Sequence, residues 1–277
     1  MTRRTLAKSI TTSGTALHAG GTVNMVLAPA PAGTGIVFRR EGKDVPALYD
    51  RVGETRLGTV IAEGGTSIGV IEHLMAALAG AEVDDMIVTL DGPEPPILDG
   101  DAASYLALIE EAGVREQEGA GRAIEVLKRV EVRHKEASAA LAPGEGYSFD
   151  FEIVFPTPVI GTQRMEWVFS REAFRRDIAP ARTFGFIHEL DALNKMGLGK
   201  GASLENTLAL EGEGLRNPEL QRFPDEFVRH KILDAIGDMA LAGAPLIGRF
   251  EGRRSGHALN NALLRALFAD ESNYRMV

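Results

Sequence analysis

The chain has 277 residues, carries a net charge of −9 at pH 7 and is 44% hydrophobic. This length suffices for one large core or for two domains. The acidic balance excludes a general nucleic-acid binder, which needs a basic surface, and the lack of cysteine excludes disulfides and thiolate metal sites.

The N-terminal segment, residues 1–8, lacks the apolar core of a signal peptide. No apolar run reaches the roughly 18 residues that a membrane-spanning helix needs. We therefore expect a cytoplasmic protein, and we expect it to be monomeric. Because no basic amphipathic helix is evident, any contact with a membrane surface should be transient.

The first half of the chain combines strand-like alternation with helical spacing. Residues 66–80 have helical apolar spacing between a capping threonine and a closing glycine, which predicts a helix. In chain order, the predicted elements of this half are strands at 22–27, 35–39 and 56–61, the helix at 66–80, a strand at 86–90, a Pro/Gly-rich loop at 91–100 and a helix at 104–112.

Residues 115–122 are polar, glycine-containing and aperiodic, and we place a domain boundary there, near residue 118. The elements predicted after it are strands at 124–133, 148–155 and 165–169, a short helix at 171–177, a helix at 187–196, a strand at 204–210, a helix at 227–241, a strand at 246–250 and a helix at 258–268. Each half has strands first, then a helix, a strand and a helix. This order predicts an α+β fold of two domains, 1–118 and 119–277, each a sheet with helices on one face.

The helix predicted at 227–241 carries His230, Asp234 and Asp238 at positions i, i+4 and i+8. This spacing projects an imidazole and two carboxylates from one face of the helix. His230 and Asp234 have the separation with which a single helix can hold a metal ion. The alternative is a His–Asp hydrogen bond without metal, which is the commoner meaning of an isolated pair of this kind.

His73 lies on the predicted helix of the first half, directly after Glu72. Alone, such a histidine is more often an interior residue satisfied by hydrogen bonds than a ligand. Together with His230 and Asp234 it would complete a His₂Asp set that leaves one coordination position open. Glu72 would then be a carboxylate able to accept the proton of a water that attacks a carbonyl.

Two further segments contain groups suited to such a reaction. His257 precedes the last helix and is either a surface histidine or a general acid held by a carboxylate such as Asp238. Thr183, in the aromatic loop 181–186, either packs with that loop or donates a hydrogen bond to an oxyanion. Lys231 is either a solvated cation or part of a phosphate-binding patch.

Several stretches together resemble the UDP-3-O-acyl-N-acetylglucosamine deacetylases, zinc enzymes of lipid A and lipopolysaccharide synthesis in Gram-negative bacteria. The similarity runs in order from about residue 4 to residue 268, and the motifs are jointly far more specific than singly. They are RTL (4–6), ALHAG (16–20), IEHLMAALAG (71–80), PPILDG (95–100), ARTFGF (181–186), DEFVRHKILDAIGD (225–238) and SGHALNN (255–261).

The resemblance implies a role for each candidate residue. One Zn²⁺ per chain, or Fe²⁺ in its place, would be held by His73, His230 and Asp234. Glu72 would be the general base that accepts a proton from water. His257 would be the general acid for the leaving amine and would be oriented by Asp238, while Thr183 would stabilise the oxyanion.

The resemblance also implies the substrate contacts and the fold. Lys231 would lie near the pyrophosphate, Phe155 would stack on uracil, and Phe184 would contact the substrate. The fold would be two two-layer α/β sandwiches like domain 2 of ribosomal protein S5, each with an insert. The second insert, about 185–212, would form an apolar passage for an acyl chain, and its apolar residues are Ile187, Leu190, Leu193, Met196, Leu198 and Leu204.

The expected activity is zinc-dependent hydrolysis of the N-acetyl group of UDP-3-O-(3-hydroxyacyl)-N-acetylglucosamine to the free amine and acetate, the committed step of lipid A biosynthesis. The expected partner is this small UDP-sugar lipid and no nucleic acid. One alternative is a zinc amidohydrolase that acts on a different acylated amide. The other is a non-enzymatic protein with a structural metal site, against which Glu72 and His257 argue because such a site needs neither.

Overall fold

The computed structural model describes residues 2–277. The elements of the first half are β1 (Thr2–Leu6), β2 (Ile10–Thr15), β3 (Thr22–Pro29), β4 (Ile36–Arg40), β5 (Lys43–Pro46), β6 (Ile61–Glu63), β7 (Thr66–Ile68), α1 (Glu72–Ala81), β8 (Met86–Leu90), α2 (Ala103–Ala112) and β9 (Val114–Ala120). Five of these strands form a sheet in the order β2-β3-β8-β4-β5, while β1 pairs with β9 and β6 with β7.

The elements of the second half are β10 (Ile124–Val126), β11 (Val130–His134), β12 (Ala137–Ala142), β13 (Tyr147–Val154), β14 (Thr162–Val168), α3 (Arg171–Ala173) with a π turn (Phe174–Ile178), β15 (Phe184–Phe186), α4 (Ile187–Lys195), β16 (Leu208–Glu211), β17 (Gly214–Leu215), α5 (Glu226–Ala240), β18 (Leu246–Arg253), α6 (His257–Phe268) and β19 (Tyr274–Met276). Single 3₁₀ turns lie at Tyr49–Arg51, Pro218–Leu220 and Glu271–Asn273.

Strand β18 is the centre of the second sheet. It pairs antiparallel with β12 and parallel with both β13 and β10, and β14, β11 and β19 extend the sheet. Buried and half-buried residues alternate along β18, as expected for a strand with one face in the core. Helices α5 and α6 pack against this sheet. The predicted α+β class is confirmed, whereas the domain division near residue 118 stays a prediction.

Two predicted elements of the first half differ from the structure. Residues 56–61 form a loop in which only the last residue begins β6, so the predicted strand is wrong. The helix predicted at 66–80 begins six residues later, because β7 precedes it and Val70 has a φ of 52°. A left-handed, β-branched residue cannot continue an α-helix.

The other differences concern strands in polar or interrupted stretches. The segment expected to be aperiodic, 115–122, is largely β9, which pairs with β1 across the sequence. The strand predicted at 124–133 is divided into β10 and β11, and the strand predicted at 204–210 begins only at Leu208. Pairing with a distant strand compensates for the weak local strand propensity of β9.

Helices α1 and α5 bring the two halves of the chain into backbone contact. A Cβ atom at Gly237 of α5 would lie 2.7 Å from the carbonyl carbon of Glu72 in α1 and would collide with the carbonyl oxygen. Only glycine allows so close an approach. Every residue of α1 except Ala79 is buried, which is the pattern of a helix enclosed on all sides.

We expect Gly237→Ala to destabilise the protein. Alanine favours helix formation by about 1 kcal/mol over glycine, but overpacking here costs about 1–3 kcal/mol because backbone, not a flexible side chain, must move. Denaturant unfolding measures the free energy change. Gly53→Ala is the matched control, since a Cβ at Gly53 meets nothing within 4 Å; a Gly237→Ala protein more stable than the wild type would contradict the contact.

Candidate active site

A cavity of about 930 Å³ lies where α1 meets α5, α6 and β11. Its walls include both polar and aromatic side chains from the two halves of the chain. All but one of the site residues predicted from the sequence line it, and these are Glu72, His73, Phe155, Thr183, Phe184, His230, Lys231, Asp234 and His257. The remaining one, Asp238, is buried behind His257.

The three predicted metal ligands meet in this cavity. Nε2 of His73 lies 3.5 Å, and Nε2 of His230 3.4 Å, from Oδ1 of Asp234. The imidazole centroids are 4.9 Å apart with the rings nearly perpendicular, so that the two rings do not stack. All three side chains are buried. The positions are set by α5, which presents His230 and Asp234 one turn apart, and by the first turn of α1, which presents His73.

The donor atoms of this triad fit a divalent cation. Nδ1 of His230 donates to the carbonyl of Ala181 at 3.1 Å, which leaves the lone pair of Nε2 free for a ligand bond. Burial, the largest influence, lowers the pKa of His230 to about 4, so its ring is neutral at pH 7. Two imidazole nitrogens and one carboxylate oxygen are a ligand set that Zn²⁺ accepts. Nδ1 of His73 is buried and has no hydrogen-bond partner within residues 2–277.

Lys231 lies beside the triad and neutralises part of its charge. Its Nζ donates to Oδ2 of Asp234 at 2.5 Å, on the side away from the two imidazoles. Burial, the largest influence, would raise the pKa of Asp234, but Lys231 and the surrounding histidines together outweigh burial and hold that pKa well below its usual value. The carboxylate is therefore ionised and shared between an ammonium group and the metal-ligand position. The predicted contact of Lys231 with a pyrophosphate stays a prediction.

Glu72 and His257 face each other beside the triad, and one side-chain atom of each lies within 4.8 Å of the Asp234 carboxylate. Oε1 of Glu72 is 3.8 Å from Nε2 of His257, too far for a direct hydrogen bond but near enough for one small group to contact both. Burial raises the pKa of Glu72, which brings a carboxylate nearer to the range of a general base. These two groups are in addition to the ligand triad.

His257 is hydrogen-bonded to Asp238. Nδ1 of His257 is 2.8 Å from Oδ2 of Asp238, and the same oxygen accepts a hydrogen bond from Nδ2 of Asn260 at 2.8 Å. Burial would lower the pKa of His257, but Asp238 and Glu72 outweigh it and raise this pKa to about 9. Nε2 therefore carries a proton toward the cavity at neutral pH, as a general acid requires.

The chain is similar to known proteins over nearly its whole length. The model of the LpxC family, described as UDP-3-O-acyl N-acetylglycosamine deacetylase, matches residues 3–269. The chain belongs to this family.

Relatives of the chain within the LpxC family carry the name UDP-3-O-acyl-N-acetylglucosamine deacetylase. That of Myxococcus xanthus (strain DK1622) is 45% identical over 99% of this chain and 89% of its own length. That of Phenylobacterium zucineum (strain HLK1) is 46% identical over 95% of this chain and 92% of its length. That of Anaeromyxobacter sp. (strain Fw109-5) is 44% identical over 99% of this chain and 91% of its length. The resemblance seen in the motifs is confirmed.

The aromatic residues and Thr183 form the wall of the cavity next to α5. The ring of Phe184 is edge-on to His230, with the centroids 6.1 Å apart, and is also edge-on to Phe155 at 5.7 Å. The backbone N–H of Thr183 donates to Gly100, and its carbonyl accepts from Leu208, so this LpxC segment is tied to both halves. The proposed substrate roles of these residues stay predictions.

Some residues of the LpxC site were not predicted from the sequence. The carboxylate of buried Glu226 accepts the backbone N–H groups of Arg182 and Phe223, which fixes the segment before Thr183 to the first turn of α5. Asn260 and Thr59 both donate to Asp238. The spacing of Asn260, three residues after His257 on one helix face, was an available signal. Thr59 is in an irregular loop and has no such pattern.

We expect the imidazole of His257 to titrate near pH 9 in metal-free protein, and Asp238→Asn to lower that pKa by removing the nearest negative charge. Because the folded pKa exceeds the unfolded value of about 6.5, the charged ring contributes stability that is complete below that value and is lost as the pH rises through about 9. Nitrogen-detected NMR measures the titration. Asp191→Asn, on the exposed side of α4, is the control, and a wild-type midpoint near 6.5 would refute the coupling.

Proposed function

We propose that this protein is a zinc-dependent deacetylase that hydrolyses the N-acetyl group of UDP-3-O-(3-hydroxyacyl)-N-acetylglucosamine, releasing acetate and the free amine for lipid A biosynthesis. The observation that carries the proposal is the meeting of a His₂Asp set with a separate carboxylate and a separate imidazole in one cavity. A purely structural metal site needs only the His₂Asp set and neither the separate carboxylate nor the separate imidazole.

The residues that would hold Zn²⁺ are His73, His230 and Asp234, whose donor atoms lie within 4.8 Å of one another. When bound there, the metal would supply Lewis-acid polarisation of the amide carbonyl and a lowered pKa for water. The two buried imidazoles and the ionised carboxylate favour a divalent cation over a monovalent one. Fe²⁺ has the same ligand preferences and is the alternative metal.

The remaining groups account for the proton transfers. Glu72 accepts a proton from the attacking water, whose oxygen bonds to the acetyl carbon. The C–N bond then breaks, and Nε2 of His257 gives its proton to the leaving nitrogen, so that an amine departs rather than an amide anion. Thr183 lines the cavity and would donate to the oxygen that becomes negative. Asp238 accepts a hydrogen bond from Nδ1 of His257 and stabilises the imidazolium form, in which Nε2 also carries a proton.

Binding energy must come from parts of the substrate other than the small acetamide. The insert provides an apolar surface for an acyl chain, since no residue of α4 is buried and Ile187, Leu190 and Leu193 are half-buried. Met196 and Leu204 are 54% and 48% exposed. The insert is thus a surface on which a lipid chain gains burial. No helix within residues 2–277 is long and apolar enough to cross a membrane.

We expect purified protein to release acetate from UDP-3-O-(3-hydroxymyristoyl)-N-acetylglucosamine, to lose this activity with a chelator and to regain it with added Zn²⁺. The same UDP-sugar without its 3-O-acyl chain should react at least about a hundredfold more slowly, because remote binding energy is lost. Quantifying acetate and metal content tests both points. Equal rates on the two substrates would favour an amidohydrolase for a different amide, and full activity without metal would refute the mechanism.

We expect Glu72→Gln and Asp234→Asn to fail in different ways. Glu72→Gln should keep about one metal per chain and lose at least about a hundredfold in kcat, since it removes a proton acceptor and no ligand. Asp234→Asn should lose metal affinity, since a ligand carboxylate becomes a weaker neutral oxygen. Metal analysis and steady-state kinetics separate the two. Glu213→Gln, on the exposed surface, is the control; near-normal turnover of Glu72→Gln would remove Glu72 as the base.

A further inference from the structure

Thr59 is buried between Glu72 and Asp238. It lies in the loop that precedes β6 and is only 1% exposed. Its backbone N–H donates to Oε2 of Glu72 at 2.9 Å, and its hydroxyl donates to Oδ1 of Asp238 at 2.5 Å. One residue therefore contacts both the base, on α1, and the carboxylate that holds the acid, on α5.

The contact with Glu72 assigns different tasks to its two carboxylate oxygens. Oε2 is occupied by the N–H of Thr59, whereas Oε1 faces His257 across 3.8 Å. The preceding residue, Gly58, has a φ of 147°, and a Cβ there would lie 2.9 Å from Oε1. The loop thus holds one oxygen and leaves space beside the other, so that Oε1 is the oxygen free to accept a proton.

The contact with Asp238 prevents this carboxylate from rotating. Oδ2 already accepts from His257 and from Asn260, and the Thr59 hydroxyl occupies Oδ1 on the opposite side. With donors on both oxygens the carboxylate plane is fixed, and with it the direction of the imidazole. An imidazole held by a carboxylate free to turn would spend less time aligned with the leaving nitrogen.

We propose that Thr59 is a positioning residue that aligns the base Glu72 and the acid His257 as a single unit across the junction of the two halves. The loop that carries it is itself restrained, because Nε2 of His18 bonds to the carbonyl of Leu57 at 2.8 Å and the backbone N–H of Gly53 to Val60 at 2.9 Å. This inference rests on the proposed deacetylase function. Proton transfer to Glu72 and proton transfer from His257 both depend on sub-ångström placement of these side chains. The two hydrogen bonds of Thr59 supply that placement.

The test compares Thr59→Val, which keeps the shape and removes the hydroxyl, with Thr59→Ser, which keeps the hydroxyl. A hydrogen bond to an ionised group is worth roughly tenfold to a hundredfold in rate when it is needed only for alignment. We expect Thr59→Val to lose that much in kcat, with KM within about twofold of wild type and full metal content. Thr59→Ser should recover most of the rate.

Two further variants separate alignment from stability. Thr5→Val removes another buried threonine hydroxyl, which donates to the backbone of Asp85 away from the cavity, and should lower stability without changing kcat. Combining Thr59→Val with Asp238→Asn should cost no more than Asp238→Asn alone, because the hydroxyl acts through that carboxylate. If Thr59→Val fails to fold, Thr59→Ala, which also lacks the hydroxyl, replaces it.

Several outcomes would overturn the proposal. Thr59→Val with wild-type kcat would show that the bridge is not needed, and equal losses in the Ser and Val variants would show a packing role instead. If Thr59→Val lost its metal, the lower rate would come from disturbed metal ligands and not from misalignment of Glu72 and His257. Failure of the deacetylase function itself is distinct, because the wild-type protein would then release no acetate from the acylated UDP-sugar with Zn²⁺ present.

Discussion

The contact on which this structure depends is the backbone approach of α5 to α1 at Gly237. Because no side chain separates the helices there, the carbonyl of Glu72 rests directly on α5. That contact fixes the distance between Glu72 and His73 on one helix and His230 and Asp234 on the other. A site assembled from two sheets would otherwise depend on flexible loops, which hold catalytic geometry less well than helices do.

Bringing these groups together requires burying several charges, and each charge has its own compensation. Asp234 is paired with Lys231, and Asp238 accepts three donors, which together offset the cost of removing carboxylates from water. Among residues 2–277, Glu72 has a single hydrogen-bond donor, the N–H of Thr59, and burial raises its pKa. The burial of Asp234 is compensated more fully than that of Glu72. This difference is why Asp234 stays ionised as a ligand whereas Glu72 can exchange a proton.

Sequence reasoning identified the groups that lie on regular helices. The i, i+4, i+8 spacing of His230, Asp234 and Asp238 placed all three on one face, and the family resemblance supplied the partners from elsewhere in the chain. Sequence reasoning did not identify Thr59. Its two hydrogen-bond partners are 13 and 179 residues away in the sequence, and they reach it through the fold of a loop, which no local sequence period predicts. Sequence reasoning also did not indicate that α5 crosses α1 at Gly237, because a glycine within a helix can be present for several different reasons.

Helix α5 has two separate tasks, and its regularity links them. His230 and Asp234 offer their donor atoms toward α1, while Asp238, one turn further, holds His257. Any rotation or slide of α5 therefore moves His230, Asp234 and Asp238 together and preserves their mutual geometry. What such a motion would change is their position relative to Glu72, which belongs to the other half. The site is accordingly most sensitive to the junction between α1 and α5, where Gly237 and Thr59 are the residues that join the two helices.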